Sequence, residues 1–538
     1  MAMAHRRSFR GFDPHLIALA AVLVAIALIR LRLLGVPFER DEGEYAYVGN
    51  LILNGGLPYR DAYNMKLPGV YGMYALIIAV FGSSPAGVHA GFALVSLATI
   101  ALLYSAVRRL FTPMVGLTGA TAYALLSVSG PLLGQAAHAT HFVNLFVVSG
   151  LWALSQWDVR SSFRWTAAAG LLFGLAILMK QHAIFQGAAG GVMAAHCAWA
   201  AGRRDRKSLG VTTAVYLTAV LIPYATVVLV AAVSGSFDRF WFWTVTYATS
   251  YASADTPVGV AWALFRLTFG RTFVEYPLVW MLAGAGLVAV WVARFDVRQR
   301  LLATAFAAGS VAAILPGLNF REHYFVLLLP AASLLAAIAL ECLARALASA
   351  AGRTLPFVAM AAFGIVAIIN GRWYYLDASP DEISRRLYPG NPFVEAREVA
   401  ARIAADTNPS DTVAVLGSEP ELFVYSGRRS ATGYMYVYPL VEPQPANLRM
   451  QREMIAEIEA ASPRCLVYCS VPASWAASPG APTDILQWFN RYAPARYDVV
   501  GIVEVGSAGT LPGYYWDAAA VRHAPGPNSL WVLRRKGA

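Results

Sequence analysis

Long apolar segments separated by short basic stretches dominate the first two thirds of the chain. Each apolar segment approaches the ~20 residues that a helix needs to cross the hydrocarbon core of a bilayer. Basic residues concentrate in cytoplasmic loops, so we assign to the cytoplasm the stretches 6–10, 108–109, 160–164, 203–207, 294–300 and the surroundings of Arg345 and Arg353. The pattern predicts about eleven crossings, with the amino terminus inside: 16–34, 86–107, 113–130, 142–157, 165–180, 182–200, 211–233, 277–293, 300–316, 323–346 and 355–372.

The segment 68–82 tests this scheme, because it is apolar but has only about 15 residues, which is short for a crossing. If it crossed, every later basic loop would face the wrong side of the membrane. We therefore expect an interfacial or re-entrant helix on the outer side, buried against protein. Arg30 and Arg32, near the outer end of the first predicted helix, oppose the charge rule; snorkelling to the surface and contact with a lipid phosphate both account for them.

Three segments are then expected outside: 35–67, 234–276 and everything after residue 372. In the last of these, helical patterns alternate with short apolar strand patterns, which is typical of a small α/β layer fold. The helical patterns are 391–406, 448–461 and 483–492, and the strand patterns are 412–416, 465–469, 499–505 and 530–533. The predicted fold class is a polytopic α-helical membrane protein, with a membrane domain at 1–372 and a soluble extracytoplasmic α/β domain at 373–538.

Composition agrees with a membrane protein, since 58% of the residues are hydrophobic, 14% are charged and the mean hydropathy is +0.52. The formal net charge of +11 does not indicate a nucleic-acid partner. Residues 1–372 hold 27 basic and 14 acidic residues, whereas the rest of the chain holds 15 and 17. The basic excess therefore lies between the apolar helices, where it sets topology, and no basic stripe interleaved with aromatic residues remains for nucleic acid.

Charge is concentrated in the first outer segment, directly after a predicted membrane helix. Five charged residues lie close together there: Glu39, Arg40, Asp41, Glu42 and Glu44. From Tyr45 onward apolar positions recur at helical spacing, so we expect a short amphipathic helix that starts just after the cluster and lies along the interface. Acidic residues stabilise the N-terminus of a helix, which accounts for Glu42 and Glu44 without a function. For Asp41 we favour a functional role.

Four groups of residues follow a pattern found in a known class of enzymes. They are Arg40-Asp41-Glu42 with Tyr45, then Leu57-Pro58-Tyr59-Arg60-Asp61, Lys66-Leu67-Pro68-Gly69 and, much later, His323-Tyr324-Phe325 through Pro330. Together they resemble the polytopic GT-C glycosyltransferases of family 39, which include protein mannosyltransferases and lipid A aminoarabinose transferases. The resemblance is good over the first 130 residues or so and covers the rest of the chain in outline.

The resemblance implies that a hexosyl or pentosyl group passes, with inversion, from a polyprenyl phosphate to an extracytoplasmic lipid, glycan or protein. Such transfer needs a carboxylate that orients or deprotonates the acceptor hydroxyl and cations that hold the departing phosphate. Asp41 matches the catalytic acid of the family, with Glu42 beside it, while Lys66 and Lys180 match phosphate-binding cations. The other matching positions are expected to contact substrate: Arg40, Glu44, Tyr45, Tyr59, Arg60, Asp61, Arg321, His323 and Tyr324.

Two departures from the aminoarabinose transferases argue against carrying over their substrate. Met65 stands where those enzymes have an acid before the loop lysine, and Glu44 stands where they have a basic residue. A second carboxylate of the site is therefore missing or comes from elsewhere in this loop.

Histidines and an arginine at two other predicted outer helix ends add candidates. His138 and His141 are three residues apart and can share a helix face, but without a paired carboxylate they indicate packing or substrate hydrogen bonding more than a metal. Arg321 suits bidentate phosphate recognition, and a capping pair with Glu322 is the alternative. The sequence assigns no metal ligand and no certain cofactor, and it leaves a divalent cation open.

Two aromatic stretches each have two interpretations. In the outer segment 234–276, the residues Trp241, Trp243, Tyr247 and Tyr251 are explained by an aromatic belt at the membrane interface or by a lid over a sugar or prenyl chain. The tyrosine-rich run 434–440 is either a sugar platform or a loop packed on the membrane domain.

The expected partners are a polyprenyl-phosphate sugar, membrane lipids and the acceptor, with no nucleic acid. We expect a multi-pass protein of the inner cell membrane, with a cytoplasmic amino terminus and with the site and the C-terminal domain outside. The alternative function is that of a transporter or flippase for lipid-linked sugars. Transporters usually have internal repeats and discontinuous helices in both halves, and neither is evident in this sequence.

Overall fold

A computed structural model describes residues 13–158, 160–203, 205–253, 256–347, 350–506 and 510–537. The basic stretch 6–10 and Arg204 of the stretch 203–207 lie outside these residues. The helices of the first two thirds are α1 (Pro14–Arg32), α2 (Arg40–Leu53), α3 (Gly69–Phe81), α4 (Pro85–Leu110), α5 (Pro113–Leu126), α6 (Ala139–Ser155), α7 (Ser162–Met179), α8 (Ile184–Ala198), α9 (Arg206–Val233), α10 (Phe237–Trp241), α11 (Ala248–Ala252), α12 (Val258–Glu275), α13 (Pro277–Val292), α14 (Val297–Ile314), α15 (Leu329–Leu347) and α16 (Ala350–Asn370).

Each of the eleven predicted crossings corresponds to a helix, and the chain is a polytopic membrane protein. By length and composition, six of the described helices can span a bilayer, and the bent pair α12–α13 raises the number to seven. The axes of α12 and α13 differ by 108°. If α13 crosses the bilayer, α12 lies close to the membrane plane, so the outer segment 234–276 contains a long apolar helix that the sequence pattern did not predict.

Helix α3 occupies the short apolar segment 68–82. Its 13 residues extend about 20 Å, well below the ~30 Å of the hydrocarbon core. Tyr71 and Tyr74 are buried, whereas Leu76 and Val80 are 66% and 74% exposed. One face of α3 thus packs on protein and the other is apolar and uncovered, as expected for the interfacial helix that the sequence predicts.

Helix α2 differs from the prediction in its start and in its surroundings. It begins at Arg40 inside the acidic cluster, because the Glu39 side chain caps it by accepting from the Glu42 backbone N–H at 2.9 Å. It is buried on nearly all sides rather than lying along an open interface. Gly43 permits this contact, since a Cβ there would come within 2.7 Å of the Glu421 backbone nitrogen in the C-terminal region.

Arg30 and Arg32 neither snorkel nor face lipid phosphate. The buried Arg30 guanidinium donates to the carbonyl oxygens of Gly134 and Ser127, the latter at 3.0 Å. Arg32 donates to the Ala378 carbonyl oxygen at 2.5 Å. Both arginines therefore donate hydrogen bonds to backbone carbonyl oxygens of the irregular segments after α5 and α16. These contacts explain why two cations lie at this end of α1 against the charge rule.

The C-terminal region forms a six-stranded mixed sheet with helices, as the predicted fold class requires. The strand order is β2-β1-β3-β6-β4-β5, with β1, β2 and β3 parallel and the other pairings antiparallel. All four predicted strands are present, and the short β2 and β5 were not predicted. The elements are α17 (Pro380–Leu387), α18 (Ala396–Asp406), β1 (Thr412–Leu416), α19 (Glu421–Ser426), β2 (Arg429–Ser430), α20 (Tyr438–Val441), α21 (Asn447–Ala461), β3 (Cys465–Ser470), α22 (Pro472–Trp475), α23 (Asp484–Arg496), β4 (Tyr497–Glu504), β5 (Gly513–Trp516), α24 (Ala518–Arg522) and β6 (Ser529–Arg535).

The aromatic outer segment divides between two environments. Trp243 and Tyr247 are buried, and Trp243 packs edge to face on Tyr434 of the C-terminal region. Tyr247 donates through its hydroxyl to Glu442. Trp241 is 46% exposed. The segment therefore supports the C-terminal region on the membrane domain, and only its outward side retains the character of an aromatic belt.

Candidate active site

A single ammonium group organises the first outer loop. Lys66 Nζ lies 2.7 Å from Asp41 Oδ1 and 2.6 Å from Glu44 Oε2. The two acids lie three residues apart at the start of α2, so their side chains share one helix face. Tyr45 places its ring 4.6 Å from the same Nζ. Four residues that the sequence singled out therefore meet at one point: Asp41, Glu44, Tyr45 and Lys66.

The C-terminal region completes this cluster with Tyr436. Its hydroxyl lies 3.1 Å from Asp41 Oδ1 and 2.9 Å from the Arg40 carbonyl oxygen, and it accepts from Lys66 Nζ at 3.3 Å. Tyr436 belongs to the tyrosine-rich run 434–440, which therefore packs on the membrane domain. Sequence reasoning did not include Tyr436 in the site, because nothing local joins it to a loop almost 400 residues earlier.

Electrostatics keep Asp41 and Lys66 ionised. Burial raises the pKa of Asp41, but Lys66, His323 and His138 outweigh it and hold that pKa below its ordinary value. Burial lowers the pKa of Lys66, and the carboxylates of Asp41 and Glu44 more than compensate, so the pKa of Lys66 is raised. Burial is the largest influence on the fully buried Glu44 and raises its pKa. Asp41, whose side chain is 24% exposed, is the accessible carboxylate of the pair.

Two histidines lie beside Asp41. His138 Nδ1 lies 3.8 Å from Asp41 Oδ2, and the rings of His138 and His323 are stacked with centroids 4.4 Å apart. One ligand atom from each of the three residues lies within 4.8 Å of the others. Both ring nitrogens of buried His138 lack a hydrogen-bond partner within the described structure. His141, the residue that the sequence paired with His138, instead packs on Phe92 at 4.9 Å.

Lys180 supplies a second cation beside this group. Its Nζ lies 4.3 Å from the centre of the Tyr324 ring, and among the described residues no carboxylate oxygen lies within the 4.0 Å that defines an ion pair. Arg321 is exposed at the start of the same segment as Tyr324. Glu322 lies 3.8 Å from Arg271 rather than forming the capping pair with Arg321 that the sequence allowed.

Glu42 and Arg40 point away from the Lys66 cluster. The buried Glu42 carboxylate binds His89 Nε2 at 2.9 Å and accepts from the Ala137 backbone N–H at 2.7 Å. Arg40 donates to the Ser418 carbonyl oxygen at 2.5 Å and to Glu419 at 3.2 Å. Glu42 thus joins α2 to two other parts of the membrane domain, and Arg40 joins it to the C-terminal region.

The residues from Tyr59 to Asp61 lie outside the cluster as well. Tyr59 has a positive φ of 65°, and its hydroxyl donates to the Lys66 carbonyl oxygen at 2.7 Å. Asp61 accepts from the Leu57 backbone N–H at 2.8 Å and pairs with the exposed Arg60 at 2.7 Å. These side chains shape the turn that brings Lys66 to α2, so their effect on the site is indirect.

The position of Glu42 gives a prediction about stability. Replacing Glu42 by Ala leaves the buried His89 ring nitrogen and the Ala137 N–H unpaired, which we expect to lower the free energy of unfolding by about 3 kcal/mol. Thermal unfolding of the purified protein in detergent measures this change. The exposed Glu398 is a suitable control, because its replacement by Ala should leave the melting temperature unchanged; equal effects of both variants would contradict the assigned role of Glu42.

Comparison with known proteins shows which class of proteins shares this fold. Residues 66–228 match the family model described as dolichyl-phosphate-mannose-protein mannosyltransferase. Over nearly its whole length the chain adopts the fold of the polytopic GT-C glycosyltransferases, which confirms the fold that the resemblance implies. No curated protein sequence matches the chain.

Two solved structures give the extent of this similarity. ArnT from Cupriavidus metallidurans bound to undecaprenyl phosphate is 16% identical, with a TM-score of 0.59 over 96% of this chain and 97% of that chain. The archaeal oligosaccharyltransferase AglB from Archaeoglobus fulgidus, in complex with an inhibitory peptide and a dolichol-phosphate, is also 16% identical, with a TM-score of 0.53 over 95% and 75% of the two chains. The similarity includes the C-terminal region as well as the membrane helices.

Proposed function

We propose that this protein is a membrane glycosyltransferase that passes a hexosyl or pentosyl group from a polyprenyl phosphate to an acceptor outside the cytoplasm. The observation that carries the proposal is the convergence of one accessible carboxylate, Asp41, with two lysines, Lys66 and Lys180. The acceptor is a lipid, a glycan or a protein. The structures of ArnT with undecaprenyl phosphate and of AglB with a dolichol-phosphate support a lipid-linked donor.

The geometry suits an inverting displacement. Oδ1 of Asp41 is occupied by Lys66 and Tyr436, while Oδ2 remains available to orient the acceptor hydroxyl and receive its proton. The acceptor oxygen forms a bond to the anomeric carbon as the bond from that carbon to the phosphate oxygen breaks. Lys66, Lys180 and Arg321 are positioned to stabilise the negative charge that the departing polyprenyl phosphate acquires.

The same proposal includes an orientation in the inner cell membrane. The charge distribution supports a cytoplasmic amino terminus, and the first outer loop, the site and residues 373–538 then lie on the outer face. The contacts of Arg40 and Tyr436 support this arrangement, because they require the first loop and the C-terminal region to be on one side.

We also propose Asp41, His138 and His323 as ligands of a divalent cation. The residues fit such an ion, since both ring nitrogens of the buried His138 lack a hydrogen-bond partner among the described residues and its Nδ1 lies 3.8 Å from the ionised Asp41 carboxylate. A bound cation would add positive charge beside the scissile phosphate bond. Metal analysis of protein dialysed against chelator and then against zinc or manganese should give one ion per chain, and His138→Ala should lose it; retention of the ion by that variant would exclude this ligand set.

The transfer reaction is tested by measuring how much polyprenyl-phosphate sugar the purified protein consumes in detergent. The donors are a panel of hexosyl and pentosyl polyprenyl phosphates, and membrane extracts supply the acceptor. We expect one donor to release polyprenyl phosphate only when acceptor is present. Movement of a lipid-linked sugar across a vesicle membrane, with every donor left intact, would instead favour a flippase.

Tyr436 provides a more specific prediction for this reaction. Replacing Tyr436 by Phe removes a hydrogen-bond partner of Asp41 and Lys66, so we expect kcat to fall about tenfold with a smaller change in KM. Tyr434→Phe is the matched control, because the Tyr434 hydroxyl donates to Glu453 at 2.7 Å outside the cluster. If both variants kept the kcat of the unmodified protein, the hydroxyl of Tyr436 would have no part in positioning Asp41.

A further inference from the structure

A cavity lined by both polar and apolar residues lies at the C-terminal ends of α12 and α16, apart from the Lys66 cluster. It has a volume of about 500 Å³ and is lined by Arg271, Glu275, Asn370, Trp373 and Arg386, among others. This volume is in the range of sites for small ligands. The proposed transfer reaction uses none of these side chains.

Two guanidinium groups at this cavity have side chains that are more than half exposed; Arg271 has no hydrogen-bonded acid, and Arg386 hydrogen-bonds Glu382 at 2.6 Å. Arg271 Nη1 is 3.8 Å from Glu322 Oε1, beyond hydrogen-bonding distance, and the Arg271 side chain is 56% exposed. Arg386 pairs with Glu382 within α17 and is 53% exposed, and its guanidinium lies over the Trp373 ring at 5.1 Å. Exposed pairs of this kind exchange readily with solvent or ligand, and guanidinium groups suit the bidentate binding of phosphate.

Two acids line the cavity: Glu322 faces Arg271 at 3.8 Å, whereas the buried Glu275 does not compete for the arginines. Glu275 accepts hydrogen bonds from the Ser129 hydroxyl at 2.7 Å and from the Tyr375 hydroxyl at 2.9 Å. Both of its oxygens are therefore engaged on the protein side. The cavity keeps two cations near its opening and a satisfied polar wall behind them.

An apolar groove lies beside the cavity. The groove has a volume of about 350 Å³ and runs between α1, α5 and α16. Ala367, Ile368 and Tyr375 line the groove, and Asn370, Gly371 and Tyr374 line the cavity. The two spaces share no lining residue, but they are neighbours at the C-terminal end of α16, where the exposed Ile368 of the groove lies two residues from the exposed Asn370 of the cavity.

Lipid-facing surface surrounds this junction. On α16, Ile365 and Ile369 are 58% and 69% exposed, and on α12 Val274 is 69% exposed. Trp373 stands at the same level, and tryptophan is enriched where acyl chains give way to headgroups. An occupant with an anionic headgroup and an apolar tail matches both compartments in chemistry and in order.

We propose that this junction binds one anionic glycerophospholipid of the outer leaflet, with its phosphate between Arg271 and Arg386 and an acyl chain in the groove. The site is separate from the one that would hold the polyprenyl-phosphate donor at Lys66 and Lys180. The proposal does not depend on the transfer reaction, since it concerns binding alone.

Native mass spectrometry of the full-length protein, delipidated in detergent, tests the proposal. The probes are phosphatidylglycerol, diacylglycerol with the same chains, inorganic phosphate and a polyprenyl phosphate. We expect one phosphatidylglycerol per chain, bound at least about tenfold more tightly than diacylglycerol because the phosphate is the anchor. Inorganic phosphate should not displace it, because it lacks the chain that occupies the groove.

Two sets of variants separate the compartments. The double variant Arg271→Gln with Arg386→Gln should weaken phosphatidylglycerol binding about tenfold, whereas Arg372→Gln, an exposed arginine paired with Asp377, should not. Gly364→Leu fills the groove, since an added Cβ there meets nothing within 4 Å, and should weaken binding similarly. Gly284→Leu on α13 is its control, because that glycine is equally open and lies outside the groove.

Three results would overturn the proposal. Equal binding by the double arginine variant and by Arg372→Gln would show that the guanidinium groups do not hold the phosphate. Equal binding by Gly364→Leu and Gly284→Leu would show that no acyl chain occupies the groove. Displacement of phosphatidylglycerol by one equivalent of polyprenyl phosphate would make the junction a donor site instead.

Discussion

Replacing Asp41 by Asn is expected to lower the rate of sugar transfer by a factor of about 100 to 10,000, the range that a general base contributes. The substitution keeps the size of the side chain and one oxygen that accepts from Lys66, so the fold should persist. It removes the negative charge that, in the proposed reaction, orients the acceptor hydroxyl and takes up its proton. Initial rates with the identified donor, measured alongside the melting temperature, give the result.

Asp61 provides the matched control for this experiment. It lies in the same loop, but its carboxylate caps a turn and pairs with Arg60 rather than with Lys66. Asp61→Asn should therefore retain a rate close to that of the unmodified protein. Near-normal turnover by the Asp41→Asn variant would refute the assignment of Asp41 as the base.

Replacing Lys66 by Met should damage both activity and stability. Lys66 is the shared cation of Asp41 and of the fully buried Glu44, so its loss leaves two neighbouring carboxylates without their partner. Breaking a buried ion pair in this way costs about 3–5 kcal/mol. In the proposed reaction Lys66 stabilises the leaving phosphate, so the loss of its charge should in addition lower kcat by about 100- to 1,000-fold.

Lys180→Met separates the two effects. Lys180 contacts the Tyr324 ring and has no carboxylate within ion-pair distance in the described part of the chain, so its removal should not lower the melting temperature. The transfer rate should still fall, because the proposed role of Lys180 is to bind the departing phosphate. A strong loss of stability in Lys180→Met, or full activity in Lys66→Met, would contradict this division of roles.

Features with a local cause were predictable from the sequence. The strand patterns at 412–416 and 465–469 match β1 and β3, because alternating or continuous apolar residues report burial within a few positions. The short helix α3 at 68–82 was predictable from its length and from the charge of the loops around it. The start of α2 was placed too late, because the capping carboxylate of Glu39 lies within the charged cluster rather than before it.

The composition of the site was only partly accessible. Asp41 and Lys66 were found through a motif, and the structure places them 2.7 Å apart. Glu42 carried the same motif signal, yet it binds His89 and the Ala137 N–H, away from Lys66. Its direction follows from helical geometry, since neighbouring residues on a helix point about 100° apart. Applying that geometry requires the cap at Glu39, five residues before the position at Glu44 that the sequence pattern suggested.

The sequence by itself determined that this protein lies in a membrane, that the segment 35–67 concentrates charge near Lys66, and that an α/β region follows. These properties depend on composition and on short-range periodicity. The tertiary structure alone decided that Tyr436 reaches Asp41, that His138 stacks on His323 rather than pairing with His141, and that Lys180 stands beside the cluster without an acid. Such contacts join residues far apart in the chain, and their free energy arises only when the helices and the C-terminal sheet have packed together.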